Sequence, residues 1–137
     1  MISVAELAII QKTELPEATI SLRSDGIVHV HYHKNATLDV ELQQSMRLIF
    51  IAMTGGKKTK FLFSADEGFS LTSEARKQAP ALYRQSPISC YAIVAHNLAY
   101  KLVANFYIRV FKPSGNFKVF SDLKEAETWL TAQESND

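Results

Sequence analysis

The sequence predicts an α/β fold: an open, mixed but mostly parallel sheet of about five strands, with an N-terminal antiparallel hairpin and about four helices. Three observations predict it. First, Ser89–Lys112 is a short apolar run that feeds directly into a long apolar helix, the βα half of a βαβ unit. Second, Ser24-Asp25-Gly26 lies between two alternating runs, a strong short-range hairpin signal. Third, after that hairpin, strand-like runs and helical periodicity take turns to the end of the chain.

Taken in order, residues 1–16 are ambiguous. Val4, Leu7, Ala8 and Ile10 fit one face of a short helix, and Leu7–Ile10 fits a brief strand; Pro16 ends either. We read 1–16 as an N-terminal extension of a single domain spanning 1–137, with 133–137 as a frayed polar tail. Ala18–Arg23 and Ile27–His33 are the two arms of the hairpin. Thr37 is the expected N-cap of the first helix, with Asp39 and Glu41 in its first turn and Leu38, Leu42, Met46, Ile49 and Met53 as its apolar stripe. Gly55-Gly56 stops it. Lys60–Ser64 reads as a short strand and Ala65–Leu71 as a polar loop. A second helix opens at Leu71 or Thr72 and runs to about Arg84, with Ala75, Ala79 and Leu82 buried and Pro80 expected to kink or split it. The strand 89–95 is expected to be central and buried on both faces. The helix 97–112 follows, then the strand Phe117–Phe120. Last comes a helix capped by Asp122, with Glu125 as capping-box partner and Leu123, Ala126 and Leu130 on its buried side.

Composition narrows the function. At 137 residues, one domain of this size buries roughly two-thirds of the surface of its unfolded chain. A net charge of +1 without clustered Lys or Arg argues against nucleic acid as a partner. One cysteine, Cys90, allows no intramolecular disulfide. The opening Met1–Lys12 has no basic leader and is interrupted by Glu6, and no run reaches the length of a membrane span. The expectation is a cytoplasmic protein.

The element order, the phrase Gly26-Ile27-Val28-His29-Val30, and the ending from Phe117 through Ser121-Asp122-Leu123-Lys124-Glu125-Ala126 to Thr128-Trp129-Leu130 resemble the small stand-alone STAS-like proteins. STAS stands for sulphate transporter and anti-sigma factor antagonist; the fold is also called SpoIIAA-like. The resemblance covers about residues 18–132 and implies a regulatory or interaction module. Antagonists of anti-sigma factors carry a phosphorylated Ser in an Asp-Ser-(Ser/Thr)-Gly motif that opens a helix. The matching stretch here is Ser70-Leu71-Thr72-Ser73-Glu74-Ala75. Ser73 stands near the acceptor's position, but the neighbouring Asp and the following Gly are missing.

Each chemical lead has a plainer alternative. His29, His31 and His33 leave one face of a strand, a spacing that offers imidazoles to a metal. The plainer reading is a partly covered face near the sheet edge, since no Cys or carboxylate stands near them in sequence. His96 and Asn97 lie where a parallel strand ends and its helix begins, the usual place for ligands, and the loop with Ser70, Thr72 and Ser73 lies on the same side. The plainer reading makes Asn97 an N-cap and His96 a loop residue. Gly55-Gly56-Lys57-Lys58 follows a helix, so it is no phosphate loop. Asp66 and Glu67 are neighbours in sequence, which does not make them an acid/base pair.

The helix 97–112 exceeds what packing on a sheet requires. Eleven of its sixteen residues are apolar, and they run nearly round it. We therefore expect a homodimer packed through Tyr100, Ala104, Tyr107, Ile108 and Phe111. The functional expectation is a non-enzymatic regulatory or protein-interaction module with no cofactor and no metal. The alternative is a carrier or sensor of a small apolar or anionic ligand, such as a lipid. The leading reading acts through a partner surface near Ser64–Ser73 and the helix 97–112, and the binding residues expected at the site are Ser70, Thr72, Ser73, His96 and Asn97.

Overall fold

The chain folds around a six-stranded mixed sheet whose strand order is β1-β2-β3-β5-β7-β8. The computed structural model describes residues 8–97, 100–102 and 116–133. Strands β1 (Ile9–Glu14), β2 (Ala18–Arg23) and β3 (Ile27–Tyr32) form an antiparallel meander. From β3 onward, β5 (Thr59–Ala65), β7 (Ile88–Val94) and β8 (Asn116–Phe120) add in parallel. Two short strands, β4 (Thr37–Leu38) and β6 (Ser70–Leu71), form a separate parallel ladder. The complete helices among the described residues are α1 (Val40–Thr54), α2 (Ser73–Gln85) and the C-terminal helix Leu123–Ala132.

This is the expected α/β architecture with one strand more in the main sheet than the sequence indicated, and with the short β4 and β6 ladder formed where a helix cap and a polar loop were expected. Of the two alternatives for the ambiguous segment, the described residues take the strand, shifted towards the C-terminus: residues 9–14 form the edge strand β1, and residues 1–7 lie outside the described residues. Leu15 N donates to Ala18 O at 2.8 Å and closes the turn to β2. The strand has no buried face, with Ile9 56% and Ile10 66% exposed, so no alternation marks it in the sequence. Its Lys12 and a register shift between Ile9 and Gln11 are features that keep an edge from pairing with other chains.

Three local expectations are corrected. Asp39, not Thr37, caps α1: its carboxylate accepts from Leu42 N at 2.8 Å, while Thr37 belongs to β4. The buried stripe of α1 is Gln43, Met46, Phe50 and Met53; Leu42 and Ile49 are partly buried against it. Gln43 sits among apolar residues because its Nε2 donates to Ala75 O of α2 at 2.9 Å. Leu123 is 37% exposed, so the C-terminal helix buries only Ala126 and Leu130. Asp122 does cap that helix, accepting from Glu125 N at 3.1 Å.

Other elements follow their local chemistry. Gly55 adopts φ 67° at the C-cap of α1, a conformation that costs other residues strain. The helix α2 runs through Pro80 without being split. Strand β7 is not buried on both faces: Ile88, Cys90, Ala92 and Val94 are buried, while Ser89, Tyr91 and Ile93 are half-buried. It lies beside the edge strand β8 and not at the centre of the sheet. Of the helix expected at 97–112, residues 100–102 are helical; Ala104, Tyr107, Ile108 and Phe111 lie outside the described residues.

The two sheet faces carry different cores. On one, α1 and α2 cover a cluster built on Ile20, Val28, Val30 and Phe61, all fully buried. On the other, the C-terminal helix covers Ile27, Leu62, Cys90, Ala92 and Val94. Beside that second cluster runs a strip of polar side chains from β2, β3 and β5.

Candidate functional site

The site is built where the parallel strands β3, β5 and β7 end. Three loops meet there, and the two that follow β3 and β5 are joined by backbone hydrogen bonds. Asp66 N donates to Tyr32 O at 2.9 Å, Asn35 N to Glu67 O at 3.0 Å, and Ser70 N to Ala36 O at 3.0 Å. Gly68 sits tightly against this junction at φ +81°, and a Cβ there would collide with the side chain of Asn35. The third loop joins through Tyr100, whose hydroxyl oxygen accepts from Gly68 N at 2.6 Å. The turn after β5 and the helical residues after β7 are thereby tied together.

On the rim, the expected residues divide by role. Thr72 is the N-cap of α2, accepting from Ala75 N at 3.1 Å. Asn97 caps the helical residues that follow, accepting from Tyr100 N at 2.9 Å. Both thus do the plainer job the sequence allowed. Ser70 is held in β6 but exposed, and Ser73 and His96 are exposed. Between the strand ends lies a cavity of about 130 Å3 lined by Tyr32, Phe63, Ser64, Ala65, Phe69, Ile93, Val94 and Tyr100. Tyr32 and Phe69, part of its wall, stack on each other with ring centroids 4.2 Å apart.

Directly below the rim is an arrangement that the sequence reading missed. Register pairs His31 with Ser64 on neighbouring parallel strands, so both side chains leave the same face. Ser64 Oγ lies 2.7 Å from His31 Nδ1 and 2.7 Å from His29 Nε2. On its far side, His31 Nε2 lies 3.0 Å from Asp66 Oδ1. His33 is engaged separately, with Thr19 Oγ1 at 2.8 Å and Pro16 O at 2.9 Å. The three histidines therefore share a face, as expected, but not one near the sheet edge: β3 lies between β2 and β5. A carboxylate does serve them, since Asp66 reaches His31, while its neighbour Glu67 pairs with Lys34 at 3.1 Å. Among the described residues, no three His, Cys, Asp or Glu side chains gather as a metal cluster.

The electrostatics of this strip follow from burial. The imidazole of His29 is driven down to about 4, first by burial, then by the neighbouring charge site of His31, then by Arg23. Arg23 is held at 2.6 Å from both Asp25 Oδ2 and Glu127 Oε2, which fastens the hairpin to the C-terminal helix. The order Asp66–His31–Ser64 has the connectivity of an orienting acid, a base and a hydroxyl. Ser64 is only 6% exposed, however, and its oxygen is also engaged by His29.

What could have exposed this network in the sequence is strand parity. His29 and His31 alternate on β3, and Ser64 ends the next parallel strand. The parity is visible; the register that brings them together is not.

No curated protein matches this chain. The crystal structure of an uncharacterised DUF3478-family protein with a SpoIIAA-like fold, from Shewanella loihica PV-4, superposes with a TM-score of 0.56. It is 16% identical over 90% of this chain and 93% of that one. The likeness shows the SpoIIAA-like fold indicated by the sequence resemblance. No described helix is long and apolar enough to cross a membrane. Residues 20–134 match the family model described as a domain of unknown function, DUF7793, and the chain belongs to that family.

Proposed function

We propose that this protein is a non-enzymatic regulatory or protein-interaction module, and that its partner surface is the rim at the carboxyl ends of β3, β5 and β7. One observation carries the reading. The hydrogen bond from Gly68 N to Tyr100 Oη joins two separate loops into one surface, and Ser70, Ser73, His96 and Asn97 stand exposed on it. Exposed polar residues on loops fixed by a rigid sheet are suited to recognition. Ser64, the hydroxyl with a base beside it, is turned into the protein and shared by two imidazoles, which supports binding over catalysis. The SpoIIAA-like fold is consistent with such a role but does not specify it.

A second reading is favoured by the cavity behind the rim. Its volume is close to that of engineered apolar cavities, about 150 Å3, that accept benzene, so a small apolar group would fit. Native mass spectrometry of gently purified protein separates the readings. A homodimer, or a complex with another protein, that dissociates in the double variant Ser73→Arg, His96→Glu supports the interaction surface. A stoichiometric small-molecule adduct that both proteins retain overturns it in favour of a ligand carrier.

A further inference from the structure

We infer that Ser64 is the pivot of a proton-operated latch: a proton taken up at His31 reverses the hydrogen bonds that run through Ser64 to His29 and strengthens the hold of Asp66 on the sheet. This names the regulation of the rim proposed above, and only its biological use rests on that reading.

Counting donors gives the direction of each bond. The Asp66 carboxylate only accepts, so the His31 Nε2 facing it at 3.0 Å carries a hydrogen. A neutral His31 then has a bare Nδ1, which accepts the single hydroxyl proton of Ser64 across 2.7 Å. With its proton spent, the Ser64 oxygen accepts from His29 Nε2–H, also across 2.7 Å. Every donor in this chain meets an acceptor, and all three bonds point the same way.

Adding one proton leaves one arrangement that keeps the buried Ser64 hydroxyl paired. Protonated His31 donates from both nitrogens. Its bond to the Asp66 carboxylate becomes an ion pair, and its Nδ1–H now donates to Ser64. If the Ser64 oxygen took both imidazole hydrogens, its own buried proton would lack an acceptor, so the hydroxyl turns to a bare His29 Nε2. His29 therefore remains neutral but moves its own proton to Nδ1.

The proton enters at His31, because His31 adjoins a carboxylate and its side chain is 32% exposed. It does not enter at His29, which is buried between His31 and Arg23. Among the described residues, the other charged or titratable groups on this face have partners or are buried: Lys12 of β1 pairs with Glu14 at 3.2 Å, and exposed Lys118 of β8 lies over the Phe120 ring. Arg23 of β2 is bound to Asp25 and to Glu127 of the C-terminal helix. Lys60 of β5 donates to Gln133 O at 2.7 Å, His33 is held by Thr19 and Pro16, and Cys90 of β7 is a buried thiol. Asp66 opens the turn that leads to Ser70–Ser73, so its grip on His31 bears on the rim. The other acid of that turn, Glu67, pairs with Lys34.

The test is 15N NMR of the histidine rings and backbone amides of the full chain, titrated from about pH 8 to about pH 4.5. As His31 gains charge, the His29 proton should shift from Nε2 to Nδ1 with the same midpoint and without His29 becoming charged. The amides of residues 66–73 should move with that midpoint too. In Ser64→Ala, His31 should still titrate while the His29 tautomer stays fixed; in Asp66→Asn, the loop amides should stop following His31. A wild-type His29 whose tautomer ignores His31, or which charges alongside it, overturns the relay. Loop amides indifferent to His31 overturn the latch. None of these readouts needs a partner, so loss of the relay and loss of the interaction surface are scored separately.

Discussion

The two faces of the sheet meet the same requirement by different chemistry. Under α1 and α2, β2, β3 and β5 present Ile20, Val28, Val30 and Phe61 to Met46, Phe50 and Met53, and apolar contact dominates, with Gln43 the buried polar side chain of α1. On the opposite face the same strands present Ser21, Arg23, His29, His31 and Ser64, half or more buried, and the apolar packing moves aside to β5 and β7 beneath Ala126 and Leu130. An apolar face is indifferent to pH and sensitive to volume. A polar face is sensitive to the position of every proton, because each buried donor or acceptor left unpaired costs stability. The first face holds the fold together; the second is where the fold can respond to its surroundings.

The largest effect expected from this contrast is at Phe61. Its ring is fully buried, 4.9 Å from that of Phe50 and 5.9 Å from that of Phe63. Phe61→Ala should cost about 3–5 kcal/mol, equally at every pH, in urea melts followed by circular dichroism. A cost that varied strongly with pH would break the division between the faces.

The second effect belongs to the polar face. His29 ordinarily titrates near 6.5 but is held down to about 4 in the folded chain. Its folded value is depressed, so the unfolded chain binds the proton first. The stability it supports is complete above about pH 6.5, falls as the pH drops towards about 4, and is level below that. A difference of this size corresponds to a loss on the order of 3 kcal/mol. Urea melts across that window should show the slope in the wild type and a flatter profile in His29→Gln. An unchanged slope in the variant would assign the acid sensitivity to other groups.

The same contrast explains how much was legible in the sequence. Periodicity reveals a face only when burial and hydrophobicity coincide. Met46 and Met53 were legible as core for that reason, as were Ala126 and Leu130. Gln43 was not, because its burial depends on one hydrogen bond to the backbone of another helix. Strand β1 was not, because neither of its faces is buried. The expectation that the loop after β5 and the residues after β7 lie on one side of the sheet was legible, and Ser70, Ser73, His96 and Asn97 stand exposed there. The network under it depends on the pairing of His31 with Ser64 across 33 positions of sequence, and on the reach of Asp66 around the strand end. Both are consequences of register, which no local pattern encodes.

The smallest effect separates two neighbours on the rim that sequence alone treats alike. Thr72 accepts from Ala75 N with φ −67° and ψ 159°, the extended backbone of an N-cap. Removing its hydroxyl leaves an amide of the first turn without that acceptor, so Thr72→Ala should lower stability by about 1 kcal/mol. Ser73 is exposed, and its hydroxyl donates only to the adjacent Glu74 at 3.3 Å. Ser73→Ala should therefore stay within about 0.5 kcal/mol of the wild type. If partner binding is weakened by Ser73→Ala at unchanged stability, Ser73 belongs to the recognition surface. If it is weakened only by Thr72→Ala, and in proportion to lost stability, α2 serves the rim as support. The two hydroxyls are adjacent in sequence, yet one is committed to the backbone and the other is free to meet a partner.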